Sequence, residues 1–299
     1  MRAGPTAGSG EEGRTTGAEP SGRITRSTNS QEAMVGPIFI DIDPTIARLG
    51  HYSLRWYGLF INLAIVAAFV VALREARRKG VAEDDVYGLG AWAVLGGFVG
   101  ARLLHVIDRW PEYLAQPSAI FAIQNGGLAI YGAILGGVAA GALYARRHGL
   151  SIGRMADLAA PGIVLGQAIG RIGCLIQGDA LGAPTSLPWG VVYLNPEAMA
   201  PSLGVAYHPT PAYELIGDIL IFAMLWGLRK RLKTEGALFL MYLTLYSTLK
   251  FTVTLVRQEV LWLAGLQEAQ VVSLVGGLAS LGLLIYLSKR QLREVDCGR

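Results

Sequence analysis

A chain of 299 residues with 52% hydrophobic and 16% charged residues falls well below the roughly 25% charge of soluble domains. That excludes an ordinary soluble globule and points to a polytopic membrane protein. The net charge of +4 lies in blocks between apolar segments, a pattern that reports membrane topology and not nucleic-acid binding. The two cysteines, Cys174 in an apolar segment and Cys297 in a charged tail, share no geometry for a disulfide framework.

Residues 1–33 are rich in Gly, Ser, Thr, Glu and Arg, a composition that cannot bury enough apolar surface to order itself. They read as a disordered, dispensable extension, with Met34 a candidate start. Seven apolar segments follow, at about 54–73, 86–107, 126–144, 155–176, 212–228, 237–256 and 269–287, each approaching the ~20 residues of a spanning helix. Basic residues alternate between them. Arg74, Arg77, Arg78 and Lys79 follow the first, Arg146, Arg147 and Arg154 the third, Arg229, Lys230, Arg231 and Lys233 the fifth, and Lys289, Arg290 and Arg293 the last, whereas the intervening loops hold Arg109 and Arg257. The positive-inside rule then gives an all-α membrane protein with about seven transmembrane helices, N-terminus out and C-terminus in. The membrane domain spans 34–290, residues 291–299 form a cytoplasmic tail, and the Lys- and Arg-free loop 177–211 faces outward.

The stretch Gly170–Gly182 organises the rest. Arg171 ends a long apolar segment, where an unpaired guanidinium costs roughly 2.5–3.5 kcal/mol on insertion scales. Glycines at 170, 173, 178 and 182 permit close backbone approach, and Gln177 and Asp179 add an amide and an acceptor. The membrane layer also holds Arg55, Tyr57, Arg102, His105, Tyr131, Glu214, Asp218, Tyr246 and Lys250, with Arg257 just beyond. Glu214 and Asp218 share a helix face, as do Tyr246 and Lys250, four residues apart in each case. Cations outnumber acids, which suits an anionic ligand, and phospholipid head groups are the abundant anions at that depth. A structural reading stays open for each: Arg171 or Glu214 as an interhelical counter-ion, Arg55 and Arg257 reaching to the interface, His105 and Tyr131 as packing residues. No metal-ligand spacing and no phosphate-cradling loop is present, so neither metal nor cofactor is expected.

Several stretches together resemble the prolipoprotein diacylglyceryl transferases, bacterial inner-membrane enzymes that move diacylglycerol from phosphatidylglycerol onto the lipobox cysteine of preprolipoproteins. The resemblance covers about residues 36–290. It rests on Arg55-Trp56-Tyr57-Gly58-Leu59, on Gly126 through Gly132, on Gly170-Arg171-Ile172-Gly173 through Gly178 and Gly182, on His208-Pro209-Thr210 with Tyr213-Glu214, and on Tyr246 with Arg257-Gln258. This chain departs from the family pattern at Tyr131, where the family has His, and at Cys174, Gln177 and Asp179, where it has Asn, Asn and Glu. It departs again at Lys250 and Thr254, where the family has Arg and Glu.

The resemblance implies that Arg171 and Lys250 hold the lipid phosphate, and that Tyr131 and Asp179 complete the catalytic set. It further implies that Tyr57, Gln177, Gly182, His208, Glu214, Tyr246 and Arg257 bind substrate, in a multi-pass protein of the bacterial inner membrane. Its partners would be phosphatidylglycerol, lipobox-containing preprolipoproteins and the bilayer, with no nucleic acid. Two other readings remain: a catalytically degenerate protein of the same fold that holds an anionic lipid or peptide, and a transporter, against which the lack of matched broken helices in two halves argues.

Overall fold

The computed structural model describes residues 36–297 apart from 51, 123–125, 259, 260 and 264. The extension 1–33 and Met34 lie outside the described residues, as do the last two positions of the tail. Eight α-helices are described: α1 (Trp56–Lys79), α2 (Glu83–Asp108), α3 (Trp110–Ala115), α4 (Ile130–Arg147), α5 (Ile152–Gln177), α6 (Thr210–Leu228), α7 (Ala237–Thr254) and α8 (Glu268–Cys297). Each of the seven apolar segments carries one of the long helices, although residues 54–55 precede α1, residues 126–129 precede α4 and residues 255–256 follow α7. Six of the helices, α1, α2, α5, α6, α7 and α8, are long and apolar enough to cross a membrane. The seventh segment, α4, is not among them, because glycines at 132, 136, 137 and 141 and the terminal Arg146 and Arg147 dilute its hydropathy over 18 residues.

Small residues set the helix spacing. In lipid, helices associate by packing and not by a hydrophobic drive, so close backbone approach decides which pairs form. Gly96 and Gly100 of α2 face Gly132 and Gly136 of α4, each pair in GxxxG spacing; a Cβ on Gly100 would stand 2.3 Å from the Gly132 carbonyl oxygen, and one on Gly132 equally close to that of Gly100. On α5, a Cβ at Gly162 would meet the Ala68 carbonyl of α1 at 2.6 Å, and one at Gly173 the Tyr57 Cα at 3.2 Å. The buried core runs along α5 as well: Ala160 and Val164 pack with Ile221, Leu225, Leu238 and Tyr242 of α6 and α7. Leu158 packs with Ala72, Ala76 and Val86 on the other flank. Outward, large apolar side chains such as Val66, Leu95, Val99, Leu220 and Val275 are exposed, as a lipid-facing surface requires.

The α5–α7 contact carries a polar lock. Asp157 of α5, nearly fully buried, accepts from the backbone N–H of Gly236 at 2.9 Å and of Phe239 at 3.0 Å. It thereby satisfies donors that the start of α7 leaves without intrahelical partners.

Short strands accompany the helices. The loop 177–211 contains β4 (Val191–Tyr193) and β5 (Ala206–Tyr207), antiparallel to each other, and the lead-in strand β1 (Ile38–Ile40) pairs parallel with β4 through Ile38↔Val191 and Phe39↔Val192. Two small antiparallel pairs, β2 (Thr45–Leu49) with β3 (Tyr52–Arg55) and β6 (Leu261–Leu263) with β7 (Leu266–Gln267), stand beside α1 and α8. The loop is therefore a folded head on the α5–α6 connection. Tyr193 fastens it to the last turns of α5, its hydroxyl donating to the Leu175 carbonyl at 2.5 Å while burial pushes that phenol well above its ordinary range.

Gly100→Leu should unseat α2 from α4. Overpacking of this kind costs about 1–3 kcal/mol, which thermal unfolding in detergent would register, whereas Gly227→Leu, at a position with nothing within 4 Å of an added Cβ, should unfold like the parent. Equal behaviour of the two variants would remove the α2–α4 contact as a determinant of the fold.

Candidate functional site

Four helices converge at one end of the bundle: the last turns of α5 and α7 and the first turns of α6 and α1. At their centre is Glu214, in the second turn of α6, its side chain 3% exposed. One carboxylate oxygen pairs with the Arg171 guanidinium of α5, and the other accepts from Lys250 Nζ of α7 at 2.7 Å. One anion thus holds two cations, each mostly buried. Removing Glu214 would leave both buried cations without their carboxylate, and breaking a buried pair in this way typically costs about 3–5 kcal/mol.

The neighbours of this triad are polar. Tyr246, one turn before Lys250, and the buried Cys174, one turn after Arg171 on α5, both lie in the electrostatic field of the Arg171 guanidinium. Asp218, one turn after Glu214 and fully buried, lies in the electrostatic field of Arg171, Glu214 and Lys250. Both of its carboxylate oxygens lack a hydrogen-bond partner among the described residues. A buried polar group in that condition is uncommon and points to a partner outside the polypeptide, a proton, a water or a ligand. Deeper in the bundle the Tyr242 hydroxyl donates to Gln167 Oε1 at 3.0 Å, so a polar seam continues along the α5–α7 contact. Thr254 is fully buried and turns its hydroxyl back to the Lys250 carbonyl. That position adds no charge.

The signature loop closes over this end. Gly178 caps α5 in the left-handed conformation at φ 76°, and the Asp179 N–H returns to the Cys174 carbonyl at 3.1 Å. Ala180 also adopts positive φ, 58°, a conformation that costs a non-glycine residue roughly 1–2 kcal/mol. Its N–H donates to Asp179 Oδ1 at 2.7 Å, and its carbonyl accepts from the Thr210 hydroxyl at the start of α6. The loop then pairs with 206–210 through Gly182 N–H to His208 O at 2.9 Å and His208 N–H to Ala183 O at 3.0 Å. Gly182 is required sterically, because a Cβ there would meet the Val256 carbonyl at 2.7 Å and His208 Cβ at 2.8 Å.

The remaining sequence candidates divide between the cluster and its supports. Tyr57 lies in the field of Cys174, Asp179 and Arg171. Arg257 lies in that of Lys250, and its carbonyl accepts from Gln267 Nε2 at 2.8 Å. Gln177 pins the head, its Nε2 directed at Met199 Sδ at 2.7 Å and its carbonyl accepting from the Met199 N–H at 2.8 Å. His208 contacts the Tyr213 hydroxyl at 3.3 Å, and that oxygen also accepts from Trp189 Nε1 at 2.9 Å. Tyr131 is on the first turn of α4, which packs mainly against α2 and also touches α5. The segment before it is gripped by Arg102, which donates to the carbonyls of Ala119 at 2.6 Å and of Ile120, Gly126 and Gly127 at 2.9 Å each. Arg102 therefore shapes the approach to α4 and is satisfied by backbone. Of the cluster, Cys174 was legible only as a departure from a pattern, and Gln167 carried no signal because an isolated amide in an apolar helix has none. Among the described residues no group of three or more His, Cys, Asp or Glu could hold a metal ion.

The sequence pattern described as prolipoprotein diacylglyceryl transferase matches residues 44–286. The phosphatidylglycerol–prolipoprotein diacylglyceryl transferase of Trichormus variabilis is 39% identical over 270 residues, covering 86% of this chain and 95% of the relative. The protein of the same description from Clostridioides difficile is 37% identical over 244 residues, 82% of this chain and 95% of the relative, and that of Gloeobacter violaceus is 38% identical over 263 residues, 86% and 97%. With the match extending from the strands before α1 into α8, the chain belongs to the prolipoprotein diacylglyceryl transferase family.

Proposed function

We propose that this protein transfers the diacylglyceryl group of phosphatidylglycerol to the lipobox cysteine thiol of preprolipoproteins. The observation that carries the proposal, beside the relatives' descriptions, is the pair of cations gathered on one buried carboxylate at the end of a lipid-facing bundle. The thiolate sulfur attacks the glyceryl carbon that bears the phosphate ester. The C–S bond forms as the C–O bond breaks, and glycerol phosphate leaves with the electron pair. Arg171 and Lys250 stabilise the charge that grows on the departing phosphate, with Glu214 holding both in place beforehand. Tyr57, Asp179, Gly182, Tyr246 and Arg257 border the substrate, and Gln177 and His208 support the head above it. The thiol proton needs an acceptor. Asp218, whose oxygens accept no hydrogen bond among the described residues, offers free lone pairs, and Tyr131 occupies the position where the family carries histidine.

The same reading places the Arg171 end at the outer face of a bacterial inner membrane, N-terminus out and C-terminus in, with α4 as the seventh span and residues 1–33 dispensable. The basic residues at the opposite ends of the helices support it. A cysteine at Ser202, in the head, should be labelled by an impermeant reagent applied from outside; labelling only from the cytoplasmic side would reverse the orientation.

Transfer measured with phosphatidylglycerol and a lipobox peptide should fall about 10²–10³-fold in Arg171→Gln, the usual consequence of losing one oxyanion-stabilising donor. Lys250→Gln should follow it, and Lys250→Arg should keep or raise the rate, because a guanidinium restores the bidentate grip on phosphate. Full activity in both Gln variants would dismiss the phosphate site. Lipid binding with no transfer in the parent would leave a binding protein of the same fold.

The proton acceptor can be separated by pH. Removing a general base lowers the rate about 10²–10⁴-fold near neutrality, and the loss shrinks as pH rises through the ordinary thiol pKa of about 8.5, where the peptide supplies its own thiolate. Asp218→Asn should show that alkaline rescue. A deficit constant across pH would make Asp218 structural, and rescue in Tyr131→Phe alone would move the role to Tyr131.

A further inference from the structure

The opposite end of the same four helices carries a second concentration of charge that the transfer reaction does not use. A cavity of about 380 Å³ opens there between the end of α1, the start of α5, the end of α6 and the loop into α7. Six cations line it: Arg78, Lys79, Arg154, Arg229, Lys230 and Lys233. Its acids are already occupied. Asp157 accepts the two N–H groups at the start of α7, with Lys79 Nζ 3.8 Å away. Glu235 pairs with Arg154 at 2.7 Å and accepts from the Ser151 hydroxyl, contacts that hold its carboxyl below the ordinary range and keep it charged. Glu75, behind the wall and 1% exposed, is shared by Arg78 at 2.6 Å and Arg229 at 2.9 Å. Lys230 and Lys233 are exposed and take part in no ion pair among the described residues. Topogenic charge needs only to be on the correct side of a membrane, not to converge on a cavity with its acids turned away.

From this geometry we infer that the cavity is a binding site for the phosphate of an anionic glycerophospholipid, distinct from the Arg171 site. The position favours a lipid over a free anion. The cavity sits where four spanning helices end, at the level of the lipid head groups, and Arg229 stacks over the Trp226 ring at 3.6 Å, an aromatic and a cation paired as at a membrane interface. Arginines fixed by Glu75 present rigid donors to a phosphodiester, and the two flexible lysines close over it. Basic pockets of this kind between helices are suited to phospholipid head groups.

The test counts lipids retained by the full-length protein in native mass spectrometry after release from phosphatidylcholine nanodiscs doped with phosphatidylglycerol. Arg171→Gln serves as the background, so that no arm depends on transfer and any lipid that Lys250 still holds at the transfer site is common to every arm. That protein should keep a phosphatidylglycerol at the cavity. Adding Lys230→Gln and Lys233→Gln should weaken retention by about twenty-fivefold, about fivefold per lysine. Arg146→Gln with Arg147→Gln removes the same charge outside the cavity and should change nothing. Unchanged retention in the lysine variant, or an equal loss in the arginine control, would overturn the site. Displacement by free glycerol phosphate as readily as by lipid would overturn the assignment to a lipid. Matching thermal unfolding curves in detergent establish that each variant is folded.

Discussion

Two cations cannot rest side by side in a membrane bundle without an anion between them, and in this protein that anion is one carboxylate. Glu214 divides its oxygens between Arg171 of α5 and Lys250 of α7, so three helices are tied in register at the point where their polar residues face inward. The arrangement sets the electrostatics of everything near it. Tyr246 and Cys174 lie in the field of the same guanidinium, and Asp218 remains as a second carboxylate within the field of both cations. On the proposed reading, a phosphodiester beside Glu214 brings a second negative charge, so that two cations meet two anions. On that reading the donors are in place before substrate arrives, which is the condition under which such groups lower a barrier instead of being reorganised by it.

The rest of the fold serves to keep that junction fixed. Glycines on α5 let α1 approach to backbone contact, and the GxxxG pairs of α2 and α4 do the same one layer out. Asp157 anchors the start of α7 to α5, so the rotation of α7 is fixed at one end by a cap and at the other by Lys250. The loop from Gly178 to Ala183 is pinned between α5, His208 and Val256 by backbone bonds. Its one strained residue, Ala180, lies directly after Asp179, where tertiary contacts hold a conformation the residue would not choose alone.

Much of this was legible in the sequence, because periodic apolar runs and their basic flanks are local signals. The segments expected at 155–176, 212–228 and 237–256 became helices at Ile152–Gln177, Thr210–Leu228 and Ala237–Thr254. The spacing of four places Glu214 beside Asp218 and Tyr246 beside Lys250 from the sequence alone. What the sequence could not supply was partnership between distant elements. Arg171 with Glu214, and β1 with β4 across some 150 positions, are set by tertiary packing, and strands of three residues have no period to read. Arg102 illustrates the converse: its membrane depth suggested a functional cation, yet four backbone carbonyls satisfy it. Glu75 and Asp157 escaped notice because an acid near a helix end resembles a solvated one until its burial is known.

The two ends of the bundle treat charge in opposite ways, and the direction of the helices explains why. Helices α5 and α7 begin where α1 and α6 end, so each end combines two N-termini or C-termini with their counterparts, and the backbone adds no net field to either. Side chains alone distinguish them. At the Arg171 end, charge is matched inside the bundle, and the open capacity is a carboxylate, Asp218. At the other end, carboxylates are consumed by α7 and by the arginines, and the open capacity is the ammonium groups of Lys230 and Lys233. An end with a free acceptor beside held cations is suited to moving a proton while a phosphate departs. An end with free cations above held acids is suited to gripping a phosphate that stays. On the readings proposed above, chemistry and anchorage are separated along the same four helices by which sign of charge is left without a partner.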